Sequence, residues 1–235
     1  MSRRLIRLDW LNPIVLTLLF VALAGGYKFV QPLLEWPVSD VRVQGKLEHT
    51  DTRALQYVLA KTLAPGFLAA DLDEVEESVQ LLPWVHSAQA SRIWPEQLEL
   101  KITEKRPIAN WLQNGLLDSN LVPFFPKSSP DFDDLPKLAG PVGSEKRVWR
   151  LYRELYKELS GLGLEPDVLS MASHGAWSLH IKDGPWVLLG KDHREQKIAR
   201  LTLVYKNLAD RWQQIRLIDM RYPNGFAVEW KQENL

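Results

Sequence analysis

The first pattern along the chain is a run without charge. From Trp10 to Tyr27 no residue is ionised, and Ile14, Val15, Leu16, Leu18, Leu19, Phe20, Val21 and Leu23 fill the run. This meets the length of about 18 apolar residues that a bilayer-spanning helix needs. Near the centre each such residue favours insertion by about 0.3–0.6 kcal/mol. Phe29, Val30, Leu33 and Leu34 continue the apolar character past Lys28, whose side chain can snorkel. Arg3, Arg4 and Arg7 precede the run. The positive-inside rule therefore puts residues 1–9 in the cytoplasm as a tail, and the bulk of the chain across the membrane. Residues 10–34 are expected to form the span and its juxtamembrane extension. A cleaved signal peptide is the rival, through Ala22-Leu23-Ala24 and the Ser2-Arg3-Arg4 pair. The apolar residues beyond Ala24 favour an anchor.

After the run the periods shorten. Val38 to Val43 alternates and predicts a strand ending at Gly45. Thr50 is placed to cap a helix whose apolar face is Leu55, Val58, Leu59 and Leu63, stopped by Pro65-Gly66. Asp71 with Glu74 forms a capping box for a second helix, lined by Leu72, Val75, Val79 and Leu82 and ended by Pro83. Trp84 to Ile93 reads as a strand, Trp94 to Gln97 as a turn, and Leu98, Leu100 and Ile102 as the inner face of another strand. The order β-α-α-β-β implies one small mixed sheet with two helices on one face, an α+β arrangement.

Asn114-Gly115 after Trp111 signals a hairpin. Pro123 to Pro141 reads as a proline-rich loop carrying Asp131, Asp133 and Asp134. Ser144 can cap a long helix with Val148, Leu151, Leu155, Leu159 and Leu162 on its buried face, closed by Gly161 and Gly163. Strands follow at Val168–Met171, Trp177–Ile181 and Trp186–Leu189, the last two joined through Asp183-Gly184. Asp192 with Glu195 suggests another capping box, for a helix lined by Ile198, Leu201, Tyr205, Leu208 and Trp212. Its Arg200, Lys206 and Arg211 read as a solvated face. The chain closes on IDMRYPNGFAVEW, where Ile218, Met220 and Tyr222 alternate, Pro-Asn-Gly turns, and Phe226, Val228 and Trp230 alternate again. The expected second unit is a mostly antiparallel sheet with two helices.

Composition narrows the chemistry. The 235 residues carry 29 Lys plus Arg against 29 Asp plus Glu, so no basic excess drives nucleic-acid binding. There is no cysteine, which excludes disulfides and thiolate ligands or nucleophiles. His49, His86, His174, His180 and His193 lack metal-ligand spacing, and no nucleophile elbow or P-loop occurs. The aspartates near Asp131 lack a calcium-loop pattern, and Gly161-Leu162-Gly163 sits at a helix end, unlike a dinucleotide fingerprint. No catalytic, cofactor or metal residue is assigned. A hydrolase with dispersed carboxylates stays open as an alternative, as does a partner of a secretion or outer-membrane assembly system.

The final hairpin leaves a question of edges. A terminal strand presents unpaired N–H and C=O groups, and such an edge is either blocked or a docking site. From the residues alone, both an edge closed with its aromatics in the core and an open docking edge are possible.

Three segments together carry a family resemblance: VQGKLEHT, LPWVHSAQASRIWPEQLELKITEKRPIANW and IDMRYPNGFAVEW. With the basic tail and single apolar run, the chain resembles the FtsQ/DivIB family of bacterial division proteins across nearly its whole length. The resemblance implies a POTRA domain at 35–105 and a partner-binding β domain at 106–235. It implies a non-enzymatic, single-pass inner-membrane protein, with its bulk in the periplasm at the septum. It implies that the last strand receives FtsB and FtsL by strand addition, through Arg221, Tyr222, Gly225, Phe226, Ala227, Val228 and Trp230, with Arg221 suited to a partner's acid. For the POTRA domain it implies contact with upstream proteins such as FtsK, for which Ser87, Gln89, Ser91 and Lys101 form a candidate surface. Two positions depart from the family pattern. Phe226 is bulkier than expected, and Ser173-His174-Gly175 lacks an arginine. The family retains its helix, which argues against signal cleavage.

Overall fold

Alternation and capping build two units, with the division at Glu104/Lys105. The structure is a computed structural model that describes residues 17–22, 37–112, 114–127 and 132–232. Most of the expected membrane span lies outside these residues. Residues 17–22 are helical, with Leu18, Leu19, Phe20 and Val21 exposed. No helix among the described residues is long and apolar enough to cross a membrane.

The first unit runs β1 (Asp40–Gln44), α1 (Thr52–Thr62), α2 (Leu72–Gln80), β2 (Val85–Ile93) and β3 (Gln97–Glu104). The strands order as β1-β3-β2. β2 and β3 pair antiparallel, and β1 joins parallel to β3 with Val41 opposite Leu98. Both helices cover one face, where Leu55, Leu59, Val75, Val79, Ala88, Leu100 and Ile102 make the core. Asp71 caps α2 through bonds from Asp73 N–H (3.0 Å) and Glu74 N–H (3.5 Å). The cap expected at Thr50 is made one residue later, by Asp51, which accepts from Arg53 N–H at 2.9 Å. Thr50 is drawn away to Glu104: its hydroxyl donates at 2.5 Å and its N–H at 2.7 Å. Gly45 takes φ +134°, and a Cβ there would sit 2.2 Å from the Ile102 carbonyl oxygen. Only glycine fits so close an approach.

The second unit is one nine-stranded sheet, ordered β12-β11-β10-β9-β8-β7-β4-β5-β6. Its strands are β4 (Pro107–Trp111), β5 (Gly115–Asp118), β6 (Pro123–Phe124), β7 (Lys137–Ala139), β8 (Pro166–Met171), β9 (Trp177–Ile181), β10 (Trp186–Gly190), β11 (Ile215–Asp219) and β12 (Ala227–Trp230). Five neighbouring pairs are antiparallel and three parallel. Helices α3 (Glu145–Ser160) and α4 (Arg194–Leu208), with a 3₁₀ turn at Ala209–Gln214, supply the apolar residues that pack on the sheet. Leu155, Leu159, Leu169, Leu179, Val187, Leu201 and Ile218 are buried there.

Four expectations change in this unit. Ser144 stands at the start of α3, but its hydroxyl donates to the Pro141 carbonyl at 2.5 Å and makes no side-chain cap. The loop expected from Pro123 to Pro141 contains two short strands, and β7 joins β4 to β8 with parallel pairing on both sides. A strand of three residues, as β7 is, is too short to show a period. Helix α4 starts after His193, in a left-handed conformation (φ 54°), with no side-chain cap, so the Asp192 capping box does not form. β11 ends at Asp219, so Tyr222 lies in a loop rather than on the strand.

Candidate functional site

β12 is the last strand on one side of the large sheet. It pairs antiparallel with β11, with Asp219 opposite Ala227, Ile218 opposite Val228 and Ile215 opposite Trp230. Among the described residues no strand covers its outer side. Successive side chains alternate between faces. Val228 and Trp230 therefore share one face. Val228 packs on the core, while Trp230 runs past it and takes the Arg211 guanidinium over its ring at 4.2 Å. Glu229 pairs with Arg216. Before the strand, Tyr222 is 55% exposed and Phe226 42%, and Trp230 itself is 37% exposed. The aromatics of this edge are open to solvent rather than turned into the core.

The loop between β11 and β12 is held from below by α4. Arg200 Nη2 donates to the Pro223 carbonyl at 2.9 Å, and its Nη1 to the carbonyls of Gly225 (3.0 Å) and Tyr222 (3.4 Å). One guanidinium fork thus satisfies three carbonyls that no strand pairs. At the loop's start, Arg221 Nε donates to Asp219 Oδ1 at 2.9 Å and Nη2 to Oδ2 at 2.6 Å. The Arg221 N–H turns back to the same carboxylate at 3.0 Å. This local bond bends the chain off the strand. The Arg221 guanidinium holds the Asp219 carboxyl below the ordinary aspartate range, against the effect of burial and with help from the Lys197 charge. Lys197 is buried and donates to the Leu189 carbonyl at 2.7 Å. Gly190 (φ 70°) lets β10 pass close by: a Cβ there would meet Arg221 Cγ at 3.3 Å and Lys197 Nζ at 3.5 Å.

Arg200 and Arg211 are thus structural partners of the edge, where helix polarity alone reads a solvated face. Lys197 gives no signal in the sequence. Nor does Arg200, whose loop partners lie 22 to 25 positions away in the sequence. Arg221, read as a partner for an external acid, is already paired within the chain.

The POTRA candidates lie together. Ser87, Gln89 and Ser91 alternate along β2, and Gln89 sits opposite Lys101 of β3. Gln89, Ser91 and Lys101 are exposed and Ser87 half-buried, on the face away from the helices. The outer edge of β2 is occupied by α2: Glu76 accepts from Ala90 N–H at 2.7 Å, and Gln80 Nε2 donates to the Ala88 carbonyl at 3.4 Å. Ser173 and His174 form an exposed turn at Gly175 (φ 88°). His180, on β9, is paired with Asp167 at 2.6 Å. No cluster of three metal-ligating side chains occurs among the described residues.

A β-α-α-β-β unit followed by a broad mixed sheet with an exposed terminal strand defines a POTRA-bearing protein. Residues 36–105 match the POTRA domain of FtsQ type, and residues 109–221 match the C-terminal domain of cell division protein FtsQ/DivIB. A cell division protein FtsQ of Xanthomonas campestris pv. campestris is 32% identical over 97% of this chain and 81% of its own. One from Thioalkalivibrio sp. is 34% identical over 84% of this chain and 82% of its own. One from Vibrio cholerae is 32% identical over 92% and 85%. The chain belongs to the FtsQ/DivIB family of cell division proteins. The C-terminal match ends at Arg221, before β12.

Proposed function

We propose that this chain is a non-catalytic scaffold of the division machinery. It is anchored by a single span in the inner membrane, with its bulk periplasmic at the septum. Its β12 edge receives a strand from FtsB in the FtsB–FtsL pair, and through that pair it regulates septal peptidoglycan synthesis. The POTRA face at Ser87, Gln89, Ser91 and Lys101 meets early septal proteins such as FtsK.

The observation that supports this reading is the difference between sheet edges. β6 has two residues, one of them Pro123, which has no N–H to offer. β2 is occupied by Glu76 and Gln80. β1 alternates the exposed charges Asp40 and Arg42, which discourage pairing. β12 has one charge, Glu229, already taken by Arg216. Strand addition there would give backbone bonds worth roughly 0.5–1.5 kcal/mol each, with Trp230 as an aromatic anchor.

Photocrosslinking in cells from position 227, exposed on β12, tests the edge. Recovery of FtsB as the adduct is expected, and no adduct from a normally abundant chain would sink the reading. Trp230→Ala is expected to weaken FtsB binding by about 2 kcal/mol or more, roughly 30-fold. Full affinity in that variant would remove Trp230 from the site. Carbonate washing of membranes tests the anchor: the chain should stay in the pellet, and its release would overturn the single span.

A further inference from the structure

Helix α3 has a second face that the core does not use. Lys146, Arg150, Arg153 and Lys157 follow one another at steps of four, three and four, so they form one stripe along the helix. The stripe is about 16 Å long at 1.5 Å per residue. All four side chains are exposed, and none lies within ion-pair distance of a carboxylate among the described residues. Glu154 is on the same face but pairs with none of them. A helix face that serves only solubility gains from alternating signs. Here like charges sit at i,i+3 and i,i+4, where they repel and destabilise the helix. The whole chain is neutral, so this excess is local.

Aromatic rings stand between the cations. Trp149 stacks on Tyr152 with ring centroids 5.7 Å apart, and Tyr152 lies 6.1 Å from Tyr156. Tyr156 is exposed, and burial pushes the Tyr152 hydroxyl up to about 12, so it stays protonated. Trp149 and Tyr156, with Leu121 and the four cations, line a shallow groove of about 620 Å³.

We propose that this face of α3 docks an acidic amphipathic helix of a partner protein, with carboxylates at the same four-three-four spacing. Repeats of that spacing form the seam of paired helices, and each Arg can bind a carboxylate in two-pronged fashion. Trp149 and Tyr156, seven residues apart, would take the partner's apolar positions. A membrane surface fits less well, because Tyr156 is the one large hydrophobic side chain of α3 that is exposed. An interfacial helix needs a broad apolar face to insert.

The test uses the full chain in uncharged detergent and three probes: a synthetic helical peptide with Glu at four-three-four spacing, the same composition with Glu out of register, and phosphatidylglycerol vesicles. The in-register peptide should bind at least tenfold tighter than the scrambled one. The double variant Arg150→Glu, Arg153→Glu should lose that binding without a lower melting temperature, and should gain binding to a peptide that places Lys opposite the two new carboxylates only. Trp149→Ala should weaken binding without altering its salt dependence. Equal binding of both Glu peptides, or vesicle binding that abolishes the difference, would overturn the proposal. So would an unaffected double variant.

Discussion

Glu104 shows how one residue fixes a local path. It ends β3 and accepts from the N–H groups of Glu48, His49 and Thr50 and from the Thr50 hydroxyl. Burial works to raise its carboxyl, and these donors outweigh it, so the group sits below the ordinary glutamate range. A folded-state depression contributes stability above the unfolded pKa of about 4.3 and loses it as pH falls through the folded value. Glu104→Gln should destabilise the first unit by about 1–3 kcal/mol at neutral pH. It should also flatten the unit's loss of stability below about pH 4, measured by urea unfolding across pH. Asp219 follows the same sign, with Arg221 as its main partner. In the sequence Glu104 is one more polar residue on an alternating strand, because its donors lie more than fifty positions away.

At the scale of elements, the contrast is between edges that are closed and one that is open. Arg200 fixes the loop that leads into β12, so Arg200→Ala should free three carbonyls and loosen the strand's entry. Hydrogen exchange at residues 222–228 should quicken at least tenfold, with exchange in α3 unchanged. Retained protection would show that the β11 ladder alone holds the loop. The closed edge gives the converse test. Glu76→Ala removes the acceptor for the Ala90 N–H, and exchange at that amide should rise while the core of the unit stays protected. Most elements were legible from period and punctuation: α2 and its Asp71 cap, β9, and the β9–β10 hairpin at Asp183-Gly184. β7 was not, because three residues show no period and their strand character comes from β4 and β8 on either side. The end of β11 was missed because the alternation to Tyr222 continues in sequence, while the Asp219 carboxylate and Arg200 pull the chain off the ladder.

For the whole molecule, each unit buries a core of its own. Leu100 is buried in the first unit and Leu155 in the second. Each Leu→Ala should cost about 2–5 kcal/mol. Leu100→Ala should lower protection against exchange in residues 40–104, and Leu155→Ala in residues 107–230. Loss of protection throughout the chain from either change would show that the two units unfold as one.

The sequence by itself determined most of the elements outside 123–141, the split into two units and the family. These follow from short-range physics: period sets which face is buried, caps and glycines set ends, and the three segments that carry the family pattern are long enough to be specific. It also named the residues of the last strand. Only the tertiary structure decided how those residues sit at the edge. Strand order placed β12 outermost, and α4 supplied Arg200 and Arg211. The Asp219–Arg221 pair gave the exposed Arg221 a carboxylate partner within the chain. Each of these depends on which segments meet across the fold, and one chain's local pattern does not record those meetings.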